Sequence, residues 1–273
     1  MKITIGFAFH GQQKYSEKFL NSVLRSNLDG IDYEIVIVGN ACPNNSHINL
    51  KNQYTDKFKN FKIVENNTNR GCAGGWNDII RNSSGEYVFI CNNDVVFHPE
   101  CIKNIVEFLD REKDIHIVSP TILERWNTEN DYEDHIAYKK MDKFYDENKE
   151  NLITAWSIIA GCIRRSVFDE NMVGEFDENF KLAFYEDCDF GNRTKIKGIY
   201  GAALGNAVCH HYGSKTVRQG NSNSKDNSAY FQKKYPDGFI PGKSIEKFEK
   251  SYGTFPDNIW KFVPIVNADK IEV

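Results

Sequence analysis

The chain opens on an unbroken apolar run, ITIGFAF at 3–9, whose branched and aromatic residues predict a first strand. In YSEKFLNSVLRSN the apolar positions Phe19, Leu20, Val23 and Leu24 recur at helical spacing, and Ser16 is placed to cap that helix. YEIVIVGN is almost wholly apolar at its centre, as a strand buried on both faces should be. A turn, ACPNNS, and a short polar helix over 48–58 lead to a third strand, FKIVEN. CAGGWNDIIRNS reads as helix after its glycines, and EYVFICNND as a fourth strand. Strand and helix thus alternate over about 95 residues, the pattern of a parallel, Rossmann-like half sheet covered on both faces. PECIKNIVEFLDRE continues as a helix with Pro99 near its first turn, and IHIVSPTIL as a strand.

Beyond that the periodicity weakens. Residues 124–151 are charged and aromatic and read as an insertion or a mobile surface segment. ITAWSIIAGCIRRSVFDE predicts a buried strand followed by a helix, and GAALGNAVCHHYGS a small-residue strand ending in paired histidines. After 215 the chain is polar, with a helix expected near SAYFQKKYP, and IWKFVPIVNADKIEV is apolar enough to pack back. No internal repeat interrupts the pattern.

Composition changes the picture mainly by exclusion. The 273 residues are enough for one large domain or a domain with an appendage. A net charge of -4 without a long basic run argues against a nucleic-acid partner, though not against a local pocket for phosphate. Seven cysteines, an odd number with no CxxC, indicate neither a disulfide framework nor a zinc site, and a reducing cytosol is expected. MKITIGFAFHGQQ is too short in its apolar run for a signal peptide, and AWSIIAGCI is far below spanning length, so no transmembrane segment is expected. Peripheral rest on a membrane stays open, as does the oligomeric state.

Four clusters carry candidate chemistry. Asp94, alone after a hydrophobic strand in NNDV, is either an Asx-turn residue or a ligand for a divalent cation completed by phosphate. NRGCAGGWN allows close backbone approach and offers the free N–H groups of a following helix to an anion, with Arg70 as a phosphate partner or a plain surface arginine. FYEDCDFGNR holds Glu186, Asp187 and Asp189, which suit the first turn of a helix but could also supply a general base, with Arg193 as buttress. In CHHYGS, adjacent histidines of a strand point to opposite faces, and the alternation with Val208 suggests His210 as the inward one, ligand or structural.

Taken in order, YSEKFLNSVLRS, YEIVIVGNACPNN, ENNTNRGCAGGWN, YVFICNNDV, AGCIRRSVFDENMVGEFDENF, FYEDCDFGNR and HHYGS resemble a family 2 glycosyltransferase of the GT-A fold, near its rhamnosyl- and galactofuranosyltransferase branch. The resemblance spans about residues 3–214. It implies an α/β protein with a mostly parallel central sheet flanked by helices: a GT-A domain over 1–214, with a nucleotide-sugar half (1–98) and an acceptor half (99–214), and a C-terminal acceptor-side extension over 215–273. The activity it implies is inverting transfer of a sugar from a UDP- or dTDP-linked donor to a hydroxyl of a saccharide, lipid-linked or protein-linked acceptor. By resemblance the metal motif falls on Asn92, Asn93 and Asp94, with Asp94 and His210 (or His211) on Mn²⁺ or Mg²⁺. Asp187 takes the place of the base, with Glu186 and Arg193 beside it, while Phe9, Asn40, Asn69, Arg70, Gly71, Gly74, Gly75 and Asn77 fall near the nucleotide and ribose. Trp76, Trp126, Trp156 and Tyr185 are candidates to line the sugar or acceptor site. One departure stands out. The second strand commonly ends in Asp-Asn-x-Ser, but here reads Gly39, Asn40, Ala41, Cys42, leaving the nucleobase contact to Asn44 or another group. The alternatives are a non-catalytic sugar-binding protein of this fold and a sugar-phosphate nucleotidyltransferase; the latter is disfavoured by the single glycine in AFHGQQKYSEK.

Overall fold

The computed structural model describes residues 2–125, 131–153, 155–213, 215, 223–240 and 264–273. Trp126 and the 259–263 part of the tail therefore lie outside the described residues. Along the chain run β1 (Lys2–Phe9), α1 (Gln13–Leu24), β2 (Asp32–Asn40), α2 (Ser46–Tyr54), β3 (Phe61–Asn66), α3 (Gly71–Arg81), β4 (Tyr87–Asn92) and β5 (Val95–Phe97). Then follow α4 (Cys101–Arg111), β6 (Ile117–Glu124), α5 (Asp134–Asn148), β7 (Leu152–Ile153), β8 (Ala160–Arg164), α6 (Glu186–Ile196), β9 (Gly201–His211), α7 (Ser224–Lys234) and β10 (Ile265–Asn267).

These strands form one sheet in the order β3-β2-β1-β4-β8-β6-β9-β5, with β10 beside β6 and β7 beside β9. The first four strands are mutually parallel, as the apolar strand centres imply. The second half is mixed. β8 runs antiparallel to β4 and β6, while β9 and β10 are parallel to β6. The chain steps from β1 out to β2 and β3, then returns to place β4 on β1's other side, so the strand order reverses at β1. A crevice opens at such a reversal, beyond the carboxyl ends of the strands.

Alternation along β1 sorts the core. Ile3, Ile5, Phe7 and Phe9 face α1 and α2, where Phe7, Phe19, Phe89 and Phe97 pack ring against ring. On the other face Val36, Val38, Val88 and Ile90 meet Trp76 and Ile79 of α3 and Phe190 of α6. Gly75 sets how closely α3 can approach, because a Cβ there would lie 2.5 Å from the Ala8 Cβ. Burying one such large apolar side chain contributes about 1.5–3 kcal/mol. All seven cysteine thiols are free.

Four details depart from the sequence reading. Ser16 does not cap α1. The helix starts earlier, behind Gln12 in a left-handed conformation, and the buried Ser16 hydroxyl instead accepts a hydrogen bond from Asn93 Nδ2 at 3.1 Å. Within 124–151, residues 134–148 form α5, whose Ala137, Met141 and Phe144 cover a third apolar cluster with Val96, Leu123, Val208 and Tyr212. Most of the charges that made this stretch look loose lie on its outer face, but Lys140 is buried and donates to the Ile271 carbonyl. The helix expected after β8 is only a 3₁₀ turn, Arg165–Phe168, because Val167 and Phe168 are drawn into the core. Finally, the tail packs back as its apolar residues predict, but as a strand of the sheet and not as part of an extension: Ile265–Asn267 pairs in register with Ile122–Glu124.

Candidate active site

Three strand ends meet at the crevice. β1 delivers Phe9 and His10, β2 delivers Asn40, and β4 delivers Asn92, Asn93 and Asp94. The opposite wall is Leu182, Ala183 and Phe184, followed by Glu186 and Asp187 at the start of α6; Asn69, Gly71, Cys72 and Trp76 close a third side. The cavity between them measures about 300 Å³.

Asp94 stands in the two-residue link between β4 and β5. β5 pairs antiparallel with β9, Val95 opposite His211, and the Tyr212 N–H donates to the Asp94 carbonyl at 2.9 Å. That register brings His211 Nε2 to 3.2 Å from Asp94 Oδ1, with both side chains buried. Glu124 Oε1 lies 3.6 Å from Nδ1 of the same ring. Burial opposes charge on both partners, yet the pairing prevails. The Asp94 carboxyl is held below its usual range by His211 and the Lys215 backbone N–H, and the His211 pKa is lifted by Asp94 to about 10.

His210 is therefore not the inward histidine. It lies on the other face of β9 with Val208 and Tyr212, 5.6 Å from the Tyr132 ring, and burial followed by the His211 charge pushes its pKa down to about 3. The alternation was sound, but both faces of β9 are buried, so burial could not tell the crevice face from the α5 face.

The donor set at Asp94 fits a divalent cation only in part. A carboxylate oxygen and an imidazole nitrogen suit Mn²⁺ or Mg²⁺, and neither buried ring nitrogen of His211 makes a well-directed hydrogen bond. Among the described residues no three His, Cys, Asp or Glu side chains are arranged to hold a metal by themselves. Further oxygens would have to come from a bound ligand.

On the opposite wall the two neighbouring acids differ sharply. Asp187 is exposed to the crevice and accepts the Cys188 backbone N–H at 2.8 Å. Glu186 is buried, and its Oε2 has no hydrogen-bond partner. Burial, then the charge of Asp187, pushes its pKa up to about 8, which favours the neutral carboxylic acid at neutral pH.

Several predicted residues brace the crevice, Asn40 and Asn93 while also lining it. Arg70 is ion-paired to Asp78 and Glu178. Asn77 is buried and exchanges two 2.9 Å hydrogen bonds with the Phe176 backbone. Gly74 and Gly75 lie within α3, where their missing Cβ atoms admit Arg70 and Ala8. Arg193 bonds Asp189 at 2.8 Å and the Val173 carbonyl at 2.6 Å, away from the cavity. Asn93 reaches Ser16, and Asn40 bridges Asn66 and the Gly71 carbonyl. Of the aromatic candidates, Trp76 lines the cavity, Trp156 packs on Phe190, and Tyr185 faces Phe231.

The sequence reading missed His10, Cys72, Lys215 and the Leu182–Phe184 wall. His10 had a usable signal, since it directly follows the first strand at its carboxyl end. Lys215, whose ammonium pairs with Asp131 at 2.5 Å, carried none. No helix of the described residues is long and apolar enough to cross a membrane.

Comparison with known proteins bears on this crevice. The model of the family described as Glycosyl transferase family 2 matches residues 4–171. A curated relative, a poly(ribitol-phosphate) beta-glucosyltransferase of Bacillus spizizenii, is 30% identical over 103 residues, 37% of this chain and 16% of that protein. The fold is similar to Staphylococcus aureus TarS, residues 1–349, with a TM-score of 0.58 and 18% identity over 78% of this chain and 60% of that one. The same protein in complex with UDP-GlcNAc gives a TM-score of 0.59 and 17% identity over 79% and 59%. The chain thus spans less than two thirds of each of these relatives.

Proposed function

The chain belongs to glycosyl transferase family 2, and from that premise we propose that it is an inverting transferase carrying a sugar from a UDP-linked donor to a hydroxyl of a polysaccharide or polyol-phosphate acceptor. The observation that carries this reading is the crevice itself. An exposed carboxylate, Asp187, lines the same cavity as the buried Asp94–His211 pair, at the reversal of strand order. The UDP-GlcNAc complex of TarS and the glucosyl transfer to poly(ribitol phosphate) named for the Bacillus relative support the choice of donor and acceptor class.

The nucleotide rests against the ends of β1 and β2, with its diphosphate toward Asp94. Asp94 and His211, once the His211 ring gives up its proton, would hold Mn²⁺ or Mg²⁺ there, which when bound neutralises the leaving diphosphate. Asp187 accepts the proton of the acceptor hydroxyl as that oxygen attacks the anomeric carbon. The bond from that carbon to the diphosphate oxygen breaks, and UDP leaves with the electron pair. One displacement from the opposite face inverts the configuration. Glu186, protonated beside Asp187, can donate a hydrogen bond without adding a second negative charge.

UDP release from UDP-glucose and UDP-GlcNAc, with Mn²⁺, Mg²⁺ or EDTA, and with and without a ribitol-phosphate oligomer, tests this. Asp187→Asn should lower release by about 10²–10⁴-fold while UDP affinity stays within about threefold. Unchanged release in that variant would remove Asp187 from its role.

A further inference from the structure

The wall that carries Asp187 is built from unfavourable backbone. Leu182, Phe184 and Tyr185 have φ values of 55°, 79° and 72°. Each such non-glycine residue costs about 1–3 kcal/mol and persists only where its surroundings over-determine it. Tyr185 is the residue from which α6 starts, directly before Glu186 and Asp187.

Two sets of contacts hold this path. From α3, the Cys72 N–H donates to the Leu182 carbonyl at 2.7 Å, and Gly71, at φ 70°, leaves room where a Cβ would lie 2.7 Å from the Leu182 Cα. From α7 come the Phe231 ring, 5.4 Å from that of Tyr185, and one hydrogen-bonding side chain. Asn227, 2% exposed, accepts the Lys181 N–H at 2.9 Å through Oδ1. Its Nδ2 faces the carbonyls of Lys181, Ala183 and Phe184 at 2.8, 3.0 and 3.0 Å. Two amide hydrogens shared among three carbonyls, plus one accepting oxygen, bind the loop on both sides of its left-handed residues. Asn227 does not line the cavity and lies outside the stretch matched by the family.

We infer that Asn227 is a positioning residue: it locks Leu182–Tyr185 in the left-handed path that presents Asp187 to the crevice. This rests on the transferase reading above. The rest of α7 is anchored independently, by Lys234 on Asp177 and Asp189 and by the Tyr230 hydroxyl on Asp177 at 3.0 Å. Removing the amide should therefore free the loop without detaching the helix.

The test compares Asn227→Ala and Asn227→Asp with Tyr230→Phe, which weakens the same helix elsewhere, and with Asp187→Asn. Asp keeps the acceptor and the shape but loses every donor. UDP release from UDP-glucose and UDP-GlcNAc with Mn²⁺ should fall about ten- to a hundredfold in both Asn227 variants, through kcat rather than donor KM. UDP affinity by calorimetry should stay within about twofold, and Tyr230→Phe should release UDP at the wild-type rate. Amide exchange at 182–187 should rise at least tenfold in the Asn227 variants while β1 and β4 stay protected. Exchange unchanged at 182–187, or an equal kcat loss in Tyr230→Phe, would overturn the inference. Loss of activity in the Asn227 variants alongside full activity in Asp187→Asn would overturn the base assignment, with the exchange result still deciding the lock.

Discussion

Glu186 gives the sharpest quantitative handle on the site. Its pKa stands at about 8 in the folded protein against 4.5 for an ordinary glutamate, raised by burial and then by Asp187. Between those two values the unfolded chain has lost the proton and the folded chain keeps it. Stability must therefore fall as pH rises through that window, by about 1.4 kcal/mol per pH unit. It is undiminished below pH 4.5 and levels off above pH 8. The full shift corresponds to about 5 kcal/mol, and because part of it is shared with Asp187, roughly 3–5 kcal/mol is expected. Glu186→Gln replaces the acid with a neutral group of the same shape. Other titrations cancel when variant and wild type are compared at one pH. Urea unfolding at pH 5, 6, 7 and 8.5 should show Glu186→Gln gaining on the wild type by roughly 3 kcal/mol across the series, with most of the gain before pH 8. The stabilised variant should also turn over donor more slowly, a trade expected where a strained site serves function. A stability difference that does not change with pH would refute the claim that Glu186 is buried as the neutral acid.

Two further perturbations probe the frame around the crevice. Gly71→Ala places a Cβ 2.7 Å from the Leu182 backbone at φ 70°, so it should cost about 2 kcal/mol or more and weaken UDP binding, read by denaturation and calorimetry. Asp189→Ala removes a fully buried carboxylate that holds Arg193 at 2.8 Å, Lys234 at 2.6 Å and the Tyr235 hydroxyl at 2.8 Å. About 2 kcal/mol should be lost in thermal or urea unfolding, because Arg193 loses its carboxylate and the Tyr235 hydroxyl its acceptor, while Lys234 keeps Asp177; a loss below about 1 kcal/mol would show that α7 docks without it.

Local pattern carried much of this molecule. The four parallel strands, the helices between them and the glycine run before β4 are visible because each follows a period of two or of 3.6 residues within a short window. The acids of FYEDCDFGNR stand in the first turn of α6, as their charge and the helix dipole favour. The order of strand, glycine run, lone aspartate, acid cluster and histidine pair was enough to point to the family.

The tertiary structure decided what local pattern has no means of encoding. His211 rather than His210 meets Asp94 because β5, directly after Asp94, pairs with β9 at Val95–His211, and burial of both faces of β9 hides that choice from any alternation. Arg70, Asn77 and Arg193 are chemically suited to a ligand, yet partners more than 90 residues away in sequence for Asn77 claim them for the frame. Glu186 and Asp187 are adjacent acids in the sequence and become unlike groups only because one is buried and the other faces the crevice. Asn227 gives no signal at all in a polar stretch. Its role exists only where α7 folds back onto a loop more than 40 residues earlier, and such long-range hydrogen bonds are made by packing, not by spacing.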